Sequence, residues 1–137
     1  MNTSIFKAYD IRGIYPTDVN EQVATSVARA CIHMFPPGEI IIAHDVRHGS
    51  AELVVIIKTA MSAEAKVVNK EFSIREIGPS STPMFYFLVN HFAASGGIMI
   101  TASHNPKNYN GMKVVKAGAE MVPGTELLSF ITSHNLA

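Results

Sequence analysis

Tryptophan is absent from the 137 residues, and cysteine occurs once, as Cys31. A lone cysteine excludes an internal disulfide, and with it the stapled frameworks of small secreted domains. It is compatible with a reducing cytoplasm, the compartment expected here. Charge is scarce and balanced: eleven Lys plus Arg stand against eleven Asp plus Glu, a net of zero. The basic footprint from which nucleic-acid binders draw affinity is therefore missing. No apolar run reaches the ~18 residues of a membrane span. Met1 to Phe6 lacks the basic start and long apolar stretch of a secretory signal. Neither a nucleic acid nor a membrane is expected as a partner.

What is present suits one compact domain over residues 1–137, long enough to bury a core without metal or disulfide staples. Mean hydropathy is slightly positive at +0.19. Two readings of that value stay open: a well-filled core, or apolar surface that meets another domain or subunit.

Extended and helical segments alternate. Phe6 to Gly13 reads as an extended entry segment. Asp18 and Glu21 have the spacing of a capping box before a helix with Val23, Val27, Ala30, Cys31 and Met34 on its apolar face. Pro36-Pro37-Gly38 stops that helix. Ile40 to Ala43 forms an apolar run suited to a strand buried on both faces. Ser50 is placed to cap a second helix carrying Leu53, Ile57 and Met61. Phe72 to Ile77 alternates as a strand. Thr82-Pro83 opens a third helix, Thr82 as its cap. Gly96-Gly97 leads into the strand Ile98-Met99-Ile100. Asn110-Gly111 signals a tight turn into Met112 to Lys116, a strand that must return antiparallel because the connection is too short for a helical crossover. Gly124 to His134 reads as a terminal helix. The expected architecture is α/β: three layers, α/β/α, around a mixed, mostly parallel sheet of about four strands, the last antiparallel.

Chemistry concentrates after Ile100. Ligands of open α/β sheets gather beyond the carboxyl ends of strands, which is where Ser103, His104 and Asn105 fall. Pro106 keeps Asn105 out of helical geometry and stiffens the loop. A capped turn would use the same residue types. A serine hydrolase is rejected, because neighbouring residues rarely place an imidazole on the adjacent hydroxyl and no G-x-S-x-G elbow surrounds Ser103. Lys113 shares a strand face with Val115, as a cation or proton carrier for the loop or as an ordinary strand lysine. Arg12, near Tyr9 and Gly13, offers a fork that suits phosphate oxygens, or is a surface arginine. Asp45 and Arg47 either pair locally or span a domain seam. His44, Asp45 and His48 invite a metal reading, but their spacing gives no assured convergence.

In combination, F-K-A-Y-D-I-R-G (6–13), D-V-R (45–47) with Ser50, Gly78 with Thr82-Pro83, T-A-S-H-N-P (101–106) and N-G-M-K (110–113) resemble the α-D-phosphohexomutase family in content and order. The resemblance runs from about Phe6 to Val122. A-Y-D-I-R-G and Y-N-G-M-K lean toward its phosphomannomutase/phosphoglucomutase branch.

The resemblance implies that Ser103 carries a phosphoryl group, with His104 assisting proton traffic or substrate orientation. Lys113 becomes the acid/base candidate, Arg12 a holder of phosphate or a positioner of the base, and Tyr9 and Asn105 substrate-binding neighbours, Asn105 also bracing the loop. It further implies conversion of a hexose 6-phosphate to the 1-phosphate through a bisphosphorylated sugar, with magnesium as cofactor and the Ser103 phosphate as one ligand. The chain corresponds to the first of four domains. The D-G-D-x-D-R metal loop of the second, the sugar loop of the third and the phosphate clamp of the fourth have no counterpart here. We therefore expect the isolated chain to be inactive by itself. The alternative is a non-catalytic binding or assembly module that self-associates or complements the missing domains. A phosphorylation-dependent switch at Ser103 is a third reading, with no independent support.

Overall fold

The computed structural model describes residues 1–137. Its elements in chain order are β1 (Ile11–Ile14), α1 (Glu21–Met34), β2 (Gly38–His44), α2 (Ser50–Val67), β3 (Phe72–Pro79), α3 (Thr82–His91), β4 (Gly96–Ile100), β5 (Tyr109–Lys116), β6 (Glu120–Val122) and α4 (Gly124–Ser133). The sheet runs β1-β5-β4-β2-β3, with β6 also paired to β5.

The α/β/α layering and the mixed sheet agree with the sequence reading, but there are six strands rather than four. Pairings β2/β3 and β2/β4 are parallel, whereas β1/β5, β4/β5 and β5/β6 are antiparallel, so parallel pairs are not the majority. The added strands, β1 and β6, are too short to show a period and owe their extended form to pairing with β5.

The two faces of the sheet carry different loads. Ile40, Ile42, Ile98, Ile100, Met112 and Val114 face the main core, which α1, α2 and α4 close. Ile41, Ala43, Met99 and Val115 face a smaller cluster built on Phe85 and Val89 of α3. Period-two alternation therefore holds along each central strand, although both faces are apolar. Burying a side chain such as Phe85, fully enclosed, contributes roughly 1.5–3 kcal/mol.

Gly96-Gly97 has a packing cause rather than a turn cause. A Cβ on Gly96 would lie 2.6 Å from the Phe35 ring, and one on Gly97 2.7 Å from the Phe85 ring. Two aromatic rings, one from each helical layer, thus rest on β4 where side chains are missing.

Helix starts shift slightly from the sequence reading. Asn20, not Asp18, caps α1 by accepting from the Val23 N–H at 3.1 Å. Asp18 instead accepts from the Ile14 N–H at 3.1 Å and bridges to Asn2. Gly49, in the left-handed region at φ 84°, precedes α2, leaving Ser50 as its first residue. Ser81 rather than Thr82 caps α3, with Pro83 in its first turn.

Candidate functional site

Helix α3 covers the β2/β4 half of its face and leaves the β1/β5 half without a helix. Register places Lys113 opposite Met99, and Arg12 opposite Gly111. Because Ile11 and Met112 point into the main core, Arg12 and Lys113 emerge together on the uncovered half.

Asp10 joins them. Its Oδ2 lies 3.1 Å from Lys113 Nζ and its Oδ1 3.2 Å from Arg12 Nε. Asp10 is only 6% exposed, and its Oδ1 is sealed from water without a well-aligned hydrogen bond. A buried carboxylate between two cations is tolerable where an isolated one is not. The sequence alone does not single out Asp10. Its signal was present in the Y-D-I-R-G run, but one acidic residue in an extended segment does not announce a partner 103 positions away.

The Thr101–Asn108 connection supplies the second half of the site. Ser103 is exposed and takes a left-handed φ of 53°. Its N–H donates to Thr101 Oγ1 at 2.9 Å, and its carbonyl accepts from Arg47 Nη2. His104 is exposed beside it. Asn105 braces the loop from within, its Nδ2 donating to the Ala102 carbonyl at 2.7 Å. Arg12 and Asn105 also line a pocket of about 280 Å³ together with Lys7, Asp18 and Tyr109. Ser103, His104, Lys113 and Tyr9 do not line that pocket, and Tyr9 is 65% exposed.

Arg47 pairs locally with Asp45, Nε to Oδ2 at 3.4 Å, and then crosses to the serine loop. Its two Nη atoms donate to the carbonyls of Ser103, Asn105, Pro106 and Tyr109. Asp45 is held in turn by the Arg47 N–H at 3.0 Å and by Ser50 Oγ at 2.8 Å. Asn110 Nδ2 donates to Ser50 Oγ and to the His48 carbonyl. Asn110 and Gly111 therefore do not form the expected turn. Both sit inside β5, opposite Gly13 and Arg12. Asn110 is buried for its side-chain bonds, while a Cβ on Gly111 would lie 2.1 Å from the Ile11 carbonyl oxygen.

The metal reading of His44, Asp45 and His48 does not assemble. His44 Nδ1 bonds the Asp45 carbonyl, the Asp45 carboxylate serves Arg47 and Ser50, and His48 packs edge-on to Tyr15. For magnesium, the chain offers one prospective ligand, a phosphate on Ser103. Asp10 and Asp45 already compensate cations, and no three His, Cys, Asp or Glu side chains converge as a ligand set. A hard cation takes about six oxygen ligands, so these residues do not by themselves fit the ion. No helix is long and apolar enough to cross a membrane.

Fold and site define an α/β/α domain that displays a clamped serine loop beside a cationic pair. The sequence profile of the phosphoglucomutase/phosphomannomutase α/β/α domain I matches residues 3–132, and the chain belongs to that family. It is 42% identical to a phosphomannomutase of Klebsiella pneumoniae over 120 residues, covering 87% of this chain and 72% of that one. An Escherichia coli phosphomannomutase is 41% identical over 87% of this chain, and phosphohexose mutases of Xanthomonas campestris are 39% identical over 89%. The chain spans about a quarter of the length of the latter two, 25% and 26%. The crystal structure of a phosphoglucomutase/phosphomannomutase family protein from Burkholderia thailandensis superposes with a TM-score of 0.81 at 30% identity, covering 98% of this chain and 31% of that one. A putative phosphomannomutase from Thermus thermophilus shares the fold, with a TM-score of 0.79 at 24% identity over 93% of this chain and 29% of that one.

Proposed function

We propose that this domain carries the phosphoryl group of a phosphomannomutase/phosphoglucomutase on Ser103. The reading rests on one observation above all. The backbone of Ser103 is bonded through its N–H and its carbonyl, while the residue itself stays exposed at a strand's carboxyl end. A group that must alternate between donor and acceptor of phosphate has to be fixed in place yet open to substrate.

In the proposed step the phosphorus–Oγ bond of phosphorylated Ser103 breaks, and a bond forms from phosphorus to a hydroxyl of the hexose phosphate. The hydroxyl proton passes to the His104 imidazole. Lys113 supplies the proton that the departing Oγ needs. Arg12 holds phosphate oxygens, Asn105 preserves the loop, and Tyr9 meets the sugar. The bisphosphorylated sugar then returns its other phosphate to Ser103, so the hexose 6-phosphate leaves as the 1-phosphate. Catalysis of this kind is positioning and charge neutralisation rather than covalent rescue. Magnesium, the sugar loop and the distal phosphate clamp would come from outside these 137 residues. The isolated chain is thus proposed to be inactive. A cytoplasmic setting fits the free thiol of Cys31.

The test replaces the matching quarter of the E. coli relative with this chain and follows mannose 1-phosphate conversion. Turnover should depend on Ser103 and vanish in Ser103→Ala; turnover surviving that change would refute the assignment. The 137-residue chain alone should give none.

A second reading, a self-associating module, draws on α3. Its Met84 and Phe87 are 49% and 59% exposed, an apolar surface of the kind that marks contact sites. Sedimentation of the pure chain decides it, a monomer counting against self-association.

A further inference from the structure

We propose that Arg47 is the positioning residue of the serine loop, acting on the peptide groups around Ser103 and not on the phosphate. The proposal takes its functional meaning from Ser103 as phosphoryl carrier; its geometry stands independently.

An arginine beside a phosphate-carrying loop invites assignment as an anion ligand. Its bonds point the other way. Both Nη atoms are occupied by carbonyls: Pro106 at 2.8 Å and Tyr109 at 3.3 Å on one, Ser103 at 2.5 Å and Asn105 at 2.7 Å on the other. Nε faces Asp45. The guanidinium has no face left for a bidentate phosphate.

The consequence is electrostatic. A trans peptide holds its N–H opposite its carbonyl. With the Ser103 carbonyl drawn toward Arg47, the N–H of His104 is directed away from it. The Pro106 carbonyl does the same for the N–H of Lys107. Without the clamp the Ser103 carbonyl oxygen would be free to turn toward the phosphate, where its negative end would repel a dianion, while the Pro106 carbonyl would keep only the Tyr109 N–H. With it, the loop presents N–H groups on the side away from the clamp, as anion-binding backbone nests do. The clamp also holds Ser103 at its left-handed φ of 53°, a conformation that is strained for a non-glycine residue. Asp45, Ser50 and Asn110 anchor the guanidinium to the start of α2 and to β5.

Lysine in place of arginine keeps the charge but loses the planar fork that spans four carbonyls, so Arg47→Lys separates geometry from charge. Two measurements on the full 137-residue chain test the idea. In the first, amide exchange at Asn105 and Tyr109, whose N–H groups bond Ala102 and Pro106, should accelerate by about tenfold or more in Arg47→Lys. Amides of β4 should not change. Millimolar guanidinium should restore protection in Arg47→Ala. In the second, phosphoserine is installed genetically at position 103 and its second ionisation is followed by phosphorus NMR. The midpoint should rise by about half a pH unit or more in Arg47→Lys, because N–H groups that favour the dianion have turned away. An unmoved midpoint, or exchange that rises equally in β4, would overturn the proposal. Neither readout requires turnover, so failure here is distinguishable from failure of the Ser103 assignment.

Discussion

Asp10 ties together two cations that arrive from opposite ends of the chain: its Oδ2 is 3.1 Å from Lys113 Nζ, and its Oδ1 is 3.2 Å from Arg12 Nε. The side chains of Lys113 and Arg12 are 18% and 39% exposed against 7% for Asp10. The carboxylate is therefore the buried member, and the cations are the members that solvent reaches.

Asp10→Asn should destabilise the domain by about 1–3 kcal/mol. Removing one partner of a fully buried pair costs more, but the exposure of the two cations screens part of the loss. Urea denaturation at neutral pH measures it. In the chimeric enzyme the same change should lower kcat, since Lys113 and Arg12 lose their common reference.

Ser103→Ala and Ser103→Gly should separate folding from chemistry. Ser103 is exposed, so Ser103→Ala should move stability by no more than about 0.5 kcal/mol. Ser103→Gly relieves the left-handed strain and should leave the domain at least as stable as Ser103→Ala. Both should abolish phosphoryl uptake. Thermal melts of the chain, with mass spectrometry of the chimera, check the pair.

Gly111→Ala and Gly118→Ala should differ widely. At Gly111 the added carbon would lie 2.1 Å from the Ile11 carbonyl oxygen and 2.9 Å from that of Thr101, both backbone atoms that cannot swing aside. Gly118, at φ 76°, has nothing within 4 Å. The first change should cost about 3 kcal/mol or more through overpacking. The second should cost about 1 kcal/mol through backbone strain alone. Denaturation midpoints compare them.

Acid stability should depend on Glu64. Burial alone would raise its pKa, but hydrogen bonds from His33 at 2.8 Å and Arg29 at 2.9 Å, together with their charges, hold it below the ordinary range. A depressed carboxyl pKa contributes stability above the unfolded-state value, about 4.3 for glutamate. That contribution is lost as pH falls through the folded value. Glu64→Gln should be less stable at pH 7, with the difference from wild type narrowing below about pH 4. Denaturation curves across that range decide it.

Cys31 is fully buried on α1, and burial pushes its thiol well above the ordinary cysteine range. It should resist thiol reagents in the folded state and react at the rate of unfolding. Fast labelling of native protein would contradict the packing of α1.

Much of this molecule was written locally. The apolar runs Ile40–Ala43 and Ile98–Ile100, the helical spacing from Val23 to Met34 and the stop at Pro36-Pro37 each follow from side-chain periodicity and backbone chemistry within a few residues. So does the display of Ser103 after a buried strand, since a strand's end and a proline-stiffened loop are local features. Tertiary structure decided what depends on distant partners. Strands β1 and β6 are extended because β5 is there to pair with them. Asn110-Gly111 is strand rather than turn because Asn110 finds Ser50 and His48, and Gly111 must admit the Ile11 carbonyl. Asp10 and Arg47 each have a local partner, Arg12 and Asp45, but their further bonds form only across the fold, to Lys113 in one case and to the carbonyls of residues 103–109 in the other. Periodicity reports which face of an element is buried; it carries no information about which group meets which across 56 or 103 positions.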